Sequence, residues 1–587
     1  MSVLSDLSLL LGRAFESIGL DPAHGSVLVS NRPDLGQFQC NGALAAARQA
    51  RRNPREIAAS VVGRIGDDSR LADVSLAGPG FINLTVTDDV IARYVSAMAD
   101  DPRLGVPAVS EPLDVIVDYA GPNVAKAMHV GHLRATIIGD SLKRLLRFVG
   151  HRVLGDAHFG DWGLQMGMLI VAAREHLPDL PHLDGDFEGP YTVPPPITLA
   201  DLQEWYPAIA ARVGADEDVA TEARRATRDL QSGRAGYEAL WEHFVRVSRE
   251  SQERDFADLG VQFDLWYGES TVRCRLRPMV DDALAAGVAL RSEGAVVVEV
   301  AEPDDKTEIS PLILETSHGA FLYGTTDLAT IAMRVDELDA DLVLYVVDAR
   351  QAYHFEQVFR AARRTGAAGG AGMEHIRFGT MNARDGTPFK TRAGGVLKLQ
   401  DLIGMVTEAA IARLEESDLA AGYPEEERST IARQVGIAAL KFGDLINNRT
   451  SNYVFDLRRF TSLEGKTGPY LQMAAVRMGS ILDKAVSRGL VPGPVLPPAA
   501  EVERRLMLRM LQLPEVTGRA VELRAPNHLA EYAYELASDF SRFYEACHIL
   551  TESDSQRRAS WLALVRANRC TLALLLDLLG IEVPERM

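Results

Sequence analysis

The stretch from Asp114 to Gly150, DVIVDYAGPNVAKAMHVGHLRATIIGDSLKRLLRFVG, constrains the fold more than any other part of the chain. Val115-Ile116-Val117 lie in an apolar run closed by Ala120-Gly121-Pro122-Asn123, the pattern of a buried parallel strand ending in a turn. Leu133, Ile137, Leu142, Leu145, Leu146 and Val149 then recur at helical spacing, with Arg134, Asp140, Lys143 and Arg147 between them and Gly150 as the stop. Arg152-Val153-Leu154 supplies the next strand, so the three elements make one βαβ unit, and sheets of such units bind ligands at the strands' carboxyl ends. His129-Val130-Gly131-His132 falls where strand hands over to helix. Two imidazoles at that spacing share a helix face, Gly131 permits close backbone approach, and a helix N-terminus favours an anion. The pattern is a phosphate clamp, in which the histidines donate hydrogen bonds as charge develops at a phosphorus without acting as nucleophiles. Taken in isolation, HxGH is equally compatible with ordinary polar residues at a helix cap.

A chain of 587 residues is too long for one core, and three or four domains are expected. Asp6, Arg13 and Glu16 break the N-terminal apolar run, which reads as an amphipathic helix rather than a signal peptide, and no run is expected to span a membrane. The cysteines at 40, 274, 547 and 570 are widely separated, which argues against a zinc site or a disulfide framework and favours the cytoplasm. A net charge of −19 argues against indiscriminate DNA binding but leaves room for RNA on local basic tracks, of which Arg48, Arg51, Arg52 and Arg55 are a candidate.

Residues 1 to 108 read as a small α/β domain, with helices at Leu4 to Ile18 and Gly42 to Arg64, the latter interrupted at Asn53-Pro54, and two strands about Gly78-Pro79-Gly80. Gly160-Asp161-Trp162-Gly163 forms a turn after the second strand of the βαβ unit, on the same rim as His129. The polar, helix-rich stretch from 183 to 270, broken by Pro194-Pro195-Pro196, reads as an insertion. The sheet is expected to resume at Ala295 to Val300 and again in DLVLYVVDARQAYHFEQVFRAARRTG, with a strand ending at Asp348. Tyr323 and Asp327 share a face if helical. From about 430 the apolar spacing is helical to the end, as in a bundle.

PNVAKAMHVGHLRATIIGD resembles the HIGH signature of class I aminoacyl-tRNA synthetases, and its flanks, with Pro-Asn ahead, Lys126 and LRATIIGDSL, are similar to those of arginyl-tRNA synthetases. AGPGFINL, RTSNYVFDLRRFTSLEGKTGPYLQMAAVR and the final LLGIEVPERM extend the resemblance along the chain. The fold it implies is α/β, with a class I Rossmann-type catalytic domain at 109–440 carrying the insertion at about 183–270. An N-terminal small α/β domain at 1–108 would contact tRNA, and a C-terminal all-α helical bundle at 441–587 would bind the anticodon. The activity implied is activation of L-arginine with ATP, accompanied by Mg²⁺, to arginyl-adenylate and pyrophosphate, then transfer to the 3′ end of tRNA-Arg, by a cytoplasmic monomer with no tightly bound cofactor and no structural metal.

Residue by residue, the resemblance makes His129, His132, Lys126 and Lys390 catalytic and adds Gly131, Gly160, Asp161 and Arg392 to the ATP site. Asp118, Asn123, Tyr323, Asp327 and Gln351 match positions around arginine, and carboxylates such as Asp118 and Asp327 suit a guanidinium's planar fork of donors. The second signature departs from the class pattern, reading PFKTRAGG where most class I enzymes have KMSKS, and Lys126 occupies the place of a compensating lysine. Tyr453, Phe455, Arg458, Tyr470 and Arg477 are candidates for stacking on and reading anticodon bases. Two rivals are a nucleotidylyltransferase, disfavoured by the helical C-terminus and the arginine-site matches, and a silent tRNA-binding paralogue, disfavoured by the intact His129, His132, Lys126 and Lys390.

Overall fold

The computed structural model describes residues 2–187, 189–383, 386–387, 397–419 and 422–587, so Lys390 and Arg392 lie outside the described residues. The chain forms two compact units, one of Val109–Ser462 with Leu578–Glu582, the other of Met1–Ala108, Leu463–Asp577 and Val583–Met587.

The first unit is built on a four-stranded parallel sheet of β1 (Asp114–Tyr119), β2 (Arg152–Asp156), β3 (Leu342–Val346) and β4 (Gly372–His375), in the order β4-β3-β1-β2. Every residue of β3 and all but the first of β1 are buried, as their unbroken apolar runs require of strands covered on both faces. Helix α1 (Val130–Phe148) connects β1 to β2; the chain later returns to the other side of β1 with β3, crosses by α6 (Ala352–Thr365) and adds β4. The direction of winding therefore reverses between β1 and β3, and the crevice beyond their carboxyl ends is the place for a ligand. Helix α1 lies so close to the sheet that a Cβ on Gly139 would meet the Tyr119 ring at 2.3–2.5 Å.

Between β2 and β3 come α2 (Leu164–His176), α3 (Leu199–Ala215), a helix at Glu217–Gln231, α4 (Ala235–Asp258) and α5 (Tyr323–Leu338). The insertion helices share one core with the exits of β1 and β2: Leu202, Trp205, Ile209 and Leu240 pack with Val124, Ala125, Phe159 and Trp162. The run at Ala295 does not rejoin the parallel sheet as expected. Ala295–Val298 is the middle strand of a separate antiparallel sheet with Ala289–Ser292 and Leu312–Glu315. Glu293 and Gly294, at φ +50° and +85°, make a two-residue hairpin, and such a hairpin dictates antiparallel pairing with the preceding strand.

Helix α7 (Glu425–Leu445) runs across residue 440, and buried groups tie it to α1. Arg134 Nε donates to Asp444 at 2.9 Å, and Arg134 Nη1 to the Ser451 carbonyl at 3.0 Å. Segment 578–582 is fastened to the same pair of helices, the Ser141 hydroxyl donating to the Leu578 carbonyl at 2.8 Å and the Lys441 ammonium to that of Gly580 at 2.5 Å.

The second unit contains a four-stranded antiparallel sheet ordered Val27–Val29, Phe38–Cys40, Phe81–Val86, Leu71–Ala77. The expected helix from Gly42 to Arg64 is two, Gly42–Ala50 and Pro54–Ile65, because Arg51 turns left-handed at φ +50° and Pro54 opens the next. Beyond residue 462 its helices are Gly468–Ser487, Glu501–Met510, Leu513–Glu522, Asn527–Ala546 and Ser555–Leu578. The last is long and apolar enough to cross a membrane by length and composition, contrary to the sequence expectation, but 67% of its apolar window is buried inside the fold.

Candidate active site

The chain leaves β1 through left-handed backbone, with Ala120 at φ +76°, Gly121 at +53° and Ala125 at +62°. Alanine in that region is strained and persists only where its surroundings hold it. Here they do: the Ala125 amide donates to the Ser248 hydroxyl at 3.0 Å, and Gln252 Nε2 donates to the carbonyls of Asn123 at 2.9 Å and Lys126 at 3.3 Å. The Gly160 amide donates to the Pro122 carbonyl at 3.0 Å, so the turn after β2 is laced to the turn after β1.

His129 is the N-cap of α1. Its Nδ1 accepts from the Gly131 amide at 3.0 Å, while the His129 amide donates to His132 Nδ1 at 3.1 Å, a reciprocal cap made by two imidazoles. Both Nδ1 atoms are acceptors, so each neutral ring carries its proton on Nε2. A Cβ on Gly131 would meet the His129 ring at 2.7–2.8 Å, so any other residue there would push that ring from its capping position. Burial lowers the pKa of both rings, that of His132 to about 3, with the neighbouring ring and the Lys126 charge adding to the shift in His132 and Lys126 to that in His129. The result is two uncharged donors beside one ammonium. The segment that follows the second signature loop is laid against them, with the Val130 amide donating to Leu397 O at 3.1 Å and the Leu399 amide to Met128 O at 2.9 Å.

Across the crevice, carboxylates gather. Residues 265–269 run beside the exit of β2, the Phe159 amide donating to Tyr267 O at 2.7 Å and the Glu269 amide to Phe159 O at 3.0 Å. Glu269 is raised to about 7 by desolvation, opposed by His158 and reinforced by Asp161 and Asp327. Tyr323 opens α5 with its hydroxyl over Gly163, and desolvation followed by the Glu269 charge and the Tyr206 phenol raise its pKa. One turn on, Asp327 is bonded to His354 Nε2 of α6 at 2.5 Å.

Beneath this pocket Arg334, fully buried, donates from Nη2 to Asp118 at 2.7 Å and to Asp156 at 2.6 Å. Asp118, Asp156 and His158 offer ligand atoms within 4.8 Å of one another, yet the place a metal ion would take already holds a guanidinium. Burial disfavours charge on His158, but its pairing with Asp156 and the Asp118 charge outweigh this and raise it to about 9.

A family model for the catalytic domain of class I (R) tRNA synthetases matches residues 95–457. The chain belongs to the arginyl-tRNA synthetase family. Models of the arginyl tRNA synthetase N terminal domain and the DALR anticodon binding domain match residues 5–86 and 471–587. The arginine–tRNA ligases of Maricaulis maris and Alkaliphilus oremlandii are 48% and 43% identical over 587 residues, covering 100% of this chain and of each relative. The solved arginyl-tRNA synthetases of Plasmodium falciparum and Thermus thermophilus share the fold at 23% identity, with TM-scores of 0.81 and 0.79, each covering 100% of this chain and 99% and 100% of its own.

Of the residues that the arginyl-tRNA synthetase resemblance singled out, Lys126, His129, Gly131 and His132 come together at the start of α1, and Asn123 and Gly160 meet as bridge partners. Asp161 instead turns its carboxylate inward, accepting from the Ser270 amide at 2.9 Å and hydroxyl at 2.6 Å. Asp118 reaches the pocket with one oxygen already bound by Arg334, and Gln351 sits exposed in the turn after β3. Tyr453 is no surface reader: its ring is buried, with the Arg134 guanidinium 5.1 Å from its centre. Arg458 is exposed in the first unit, whereas Tyr470 and Arg477 belong to the second, Tyr470 bonded to Ser541 at 3.2 Å and Arg477 lying 5.7 Å from the Tyr544 ring. Glu269, Arg334 and Tyr206 were missed. No local motif marks them: a backbone ladder places Glu269, while Arg334 and Tyr206 are carried by helices packed in the fold.

Replacing Arg334 with Leu leaves the buried Asp118 without its bonded cation and Asp156 with His158 alone, and is expected to cost about 3–5 kcal/mol. Urea unfolding followed by tryptophan fluorescence checks this; parental stability would show that the carboxylates need no internal cation.

Proposed function

We propose that the chain activates L-arginine with ATP and transfers the arginyl group to the 3′ end of tRNA-Arg. The observation that carries this reading is the reciprocal imidazole cap, which aims uncharged Nε2–H donors beside Lys126 at the mouth of a carboxylate-lined crevice. An oxygen of the arginine carboxylate attacks the α-phosphorus, the bond to pyrophosphate breaks, and the imidazoles and Lys126 stabilise charge accumulating on the phosphoryl oxygens. Mg²⁺ accompanies ATP and screens its phosphates. A terminal ribose hydroxyl of the tRNA then attacks the arginyl carbonyl and releases AMP. No covalent bond to the protein forms; positioning and electrostatics supply the catalysis.

Glu269, Asp327 and Tyr323 are read as the guanidinium site, with Asn123 and Gln351 toward the amino-acid end and Asp118 fixing the pocket's charge from below. The nearest rival, a nucleotidylyltransferase, has no use for so acidic a pocket. We read 1–108 and the helices after 462 as tRNA-contacting domains and 109–462 as the catalytic domain, its end moved from 440 because α7 spans that point, with Tyr470 and Arg477 offering a stacking face and Lys390 and Arg392 completing the ATP site. A monomer in the cytoplasm is the working state.

Pyrophosphate exchange into ATP, run with each amino acid in turn and with or without tRNA-Arg, tests the reaction. Exchange confined to arginine supports it; exchange with another amino acid, or none from folded protein under any condition, contradicts it.

The carboxyl of Glu269 holds its proton to about 7 in the unliganded site. A guanidinium requires the ionised form, so arginine affinity improves as pH rises through that value. The KM for arginine is expected to climb by up to about tenfold per pH unit below it. Glu269→Gln should raise KM and flatten the profile; an unchanged slope in that variant would assign the titration elsewhere.

A further inference from the structure

Lys126 follows Ala125 on the strained exit of β1, and its ammonium lies 5.1 Å from the centre of the Tyr206 ring. Among the described residues the ring is the contact this ammonium makes, and no carboxylate pairs with it. Tyr206 comes from the insertion, on α3. Leu202, Trp205 and Ile209 bury the inner face of that helix, and Trp205 stacks on His176 of α2 with ring centroids 4.7 Å apart and planes 4° from parallel. Anchored one residue before it, Tyr206 is delivered to the rim, where it packs partly buried against the core that also holds Val124 and Ala125. An aromatic face attracts an ammonium without neutralising it, unlike a carboxylate, which would cancel the charge a phosphate needs.

We propose that Tyr206 is a positioning residue for Lys126: its ring, held on α3 of the insertion, sets the rotamer from which the ammonium reaches the phosphates of ATP. The proposal rests on the reading of Lys126 as a phosphate-facing cation. It gives the insertion a role in the chemical step beyond its share of the core. Because the ring acts through its face, the hydroxyl is dispensable and the aromatic system is not.

A double-mutant cycle on the full-length chain tests this by arginine-dependent pyrophosphate exchange. Lys126→Ala comes first; an exchange rate equal to the parent's overturns the phosphate role of Lys126 and this proposal with it. Given a slow Lys126→Ala enzyme, Tyr206→Leu is expected to lower kcat/KM for ATP about tenfold, the order of one cation–π contact. Tyr206→Phe should stay within about twofold of the parent, since it keeps the face of the ring. In the Lys126→Ala background Tyr206→Leu should add nothing further, because the group it positions is gone. Equal losses from Tyr206→Leu in both backgrounds, or a Phe variant as slow as the Leu variant, would make Tyr206 a packing or hydroxyl residue and overturn the assignment.

Discussion

The site depends on a backbone contact that two histidines make with each other. A helix start leaves amides without partners, and the usual remedy is a hydroxyl or carboxylate. Here imidazole nitrogens supply it: His129 Nδ1 takes the Gly131 amide and His132 Nδ1 takes the His129 amide. Capping by Nδ1 consumes the acceptor of each ring and leaves its donor, so the capped helix start and the phosphate donors that we propose for it call for the same proton placement. Burial and Lys126 add to this by opposing protonation. Under the proposed role, two more cations at this point would bind ground-state ATP tightly, whereas neutral donors strengthen as charge develops.

The opposite wall follows a different electrostatic rule. Asp118 and Asp156 are buried against Arg334, an internal counterpart of the side chain the pocket is read to recognise. Their charge is spent inside the fold, which leaves Glu269 and Asp327 nearer the opening. Desolvation raises the Glu269 pKa to about 7, against the pull of His158 and with the help of Asp161 and Asp327. The crevice thus divides into a side of donors at the start of α1 and a side of acceptors between β2 and α5.

Local patterns in the chain announced much of this. The apolar runs of β1 and β3 and the periodicity of α1 place the HxGH turn at the sheet's carboxyl edge, and Asn53-Pro54 marks a true helix break. The family was legible because its signature segments are contiguous. What escaped was either long-range or ambiguous by nature. Ala295–Val298 is a β-branched run that reads the same in a parallel or an antiparallel strand, and the Glu293-Gly294 hairpin that decides the matter was overlooked. Glu269 and Arg334 stand in no motif, and partners more than a hundred residues away, the Phe159 carbonyl and the Asp118 carboxylate, help to set their environment. Tyr453 stands among arginines in the sequence as a candidate for stacking on anticodon bases, but its ring is buried beside Arg134.

The most direct test of the central claim is the protonation of the two signature histidines, read by long-range ¹H–¹⁵N correlation on ¹⁵N-histidine-labelled protein, with His129→Gln and His132→Gln for assignment. Both rings are predicted to be neutral Nε2–H tautomers at pH 7, with His132 unprotonated down to about pH 3. An Nδ1–H tautomer, or an imidazolium at neutral pH on either ring, would contradict the reciprocal cap and the uncharged clamp built on it.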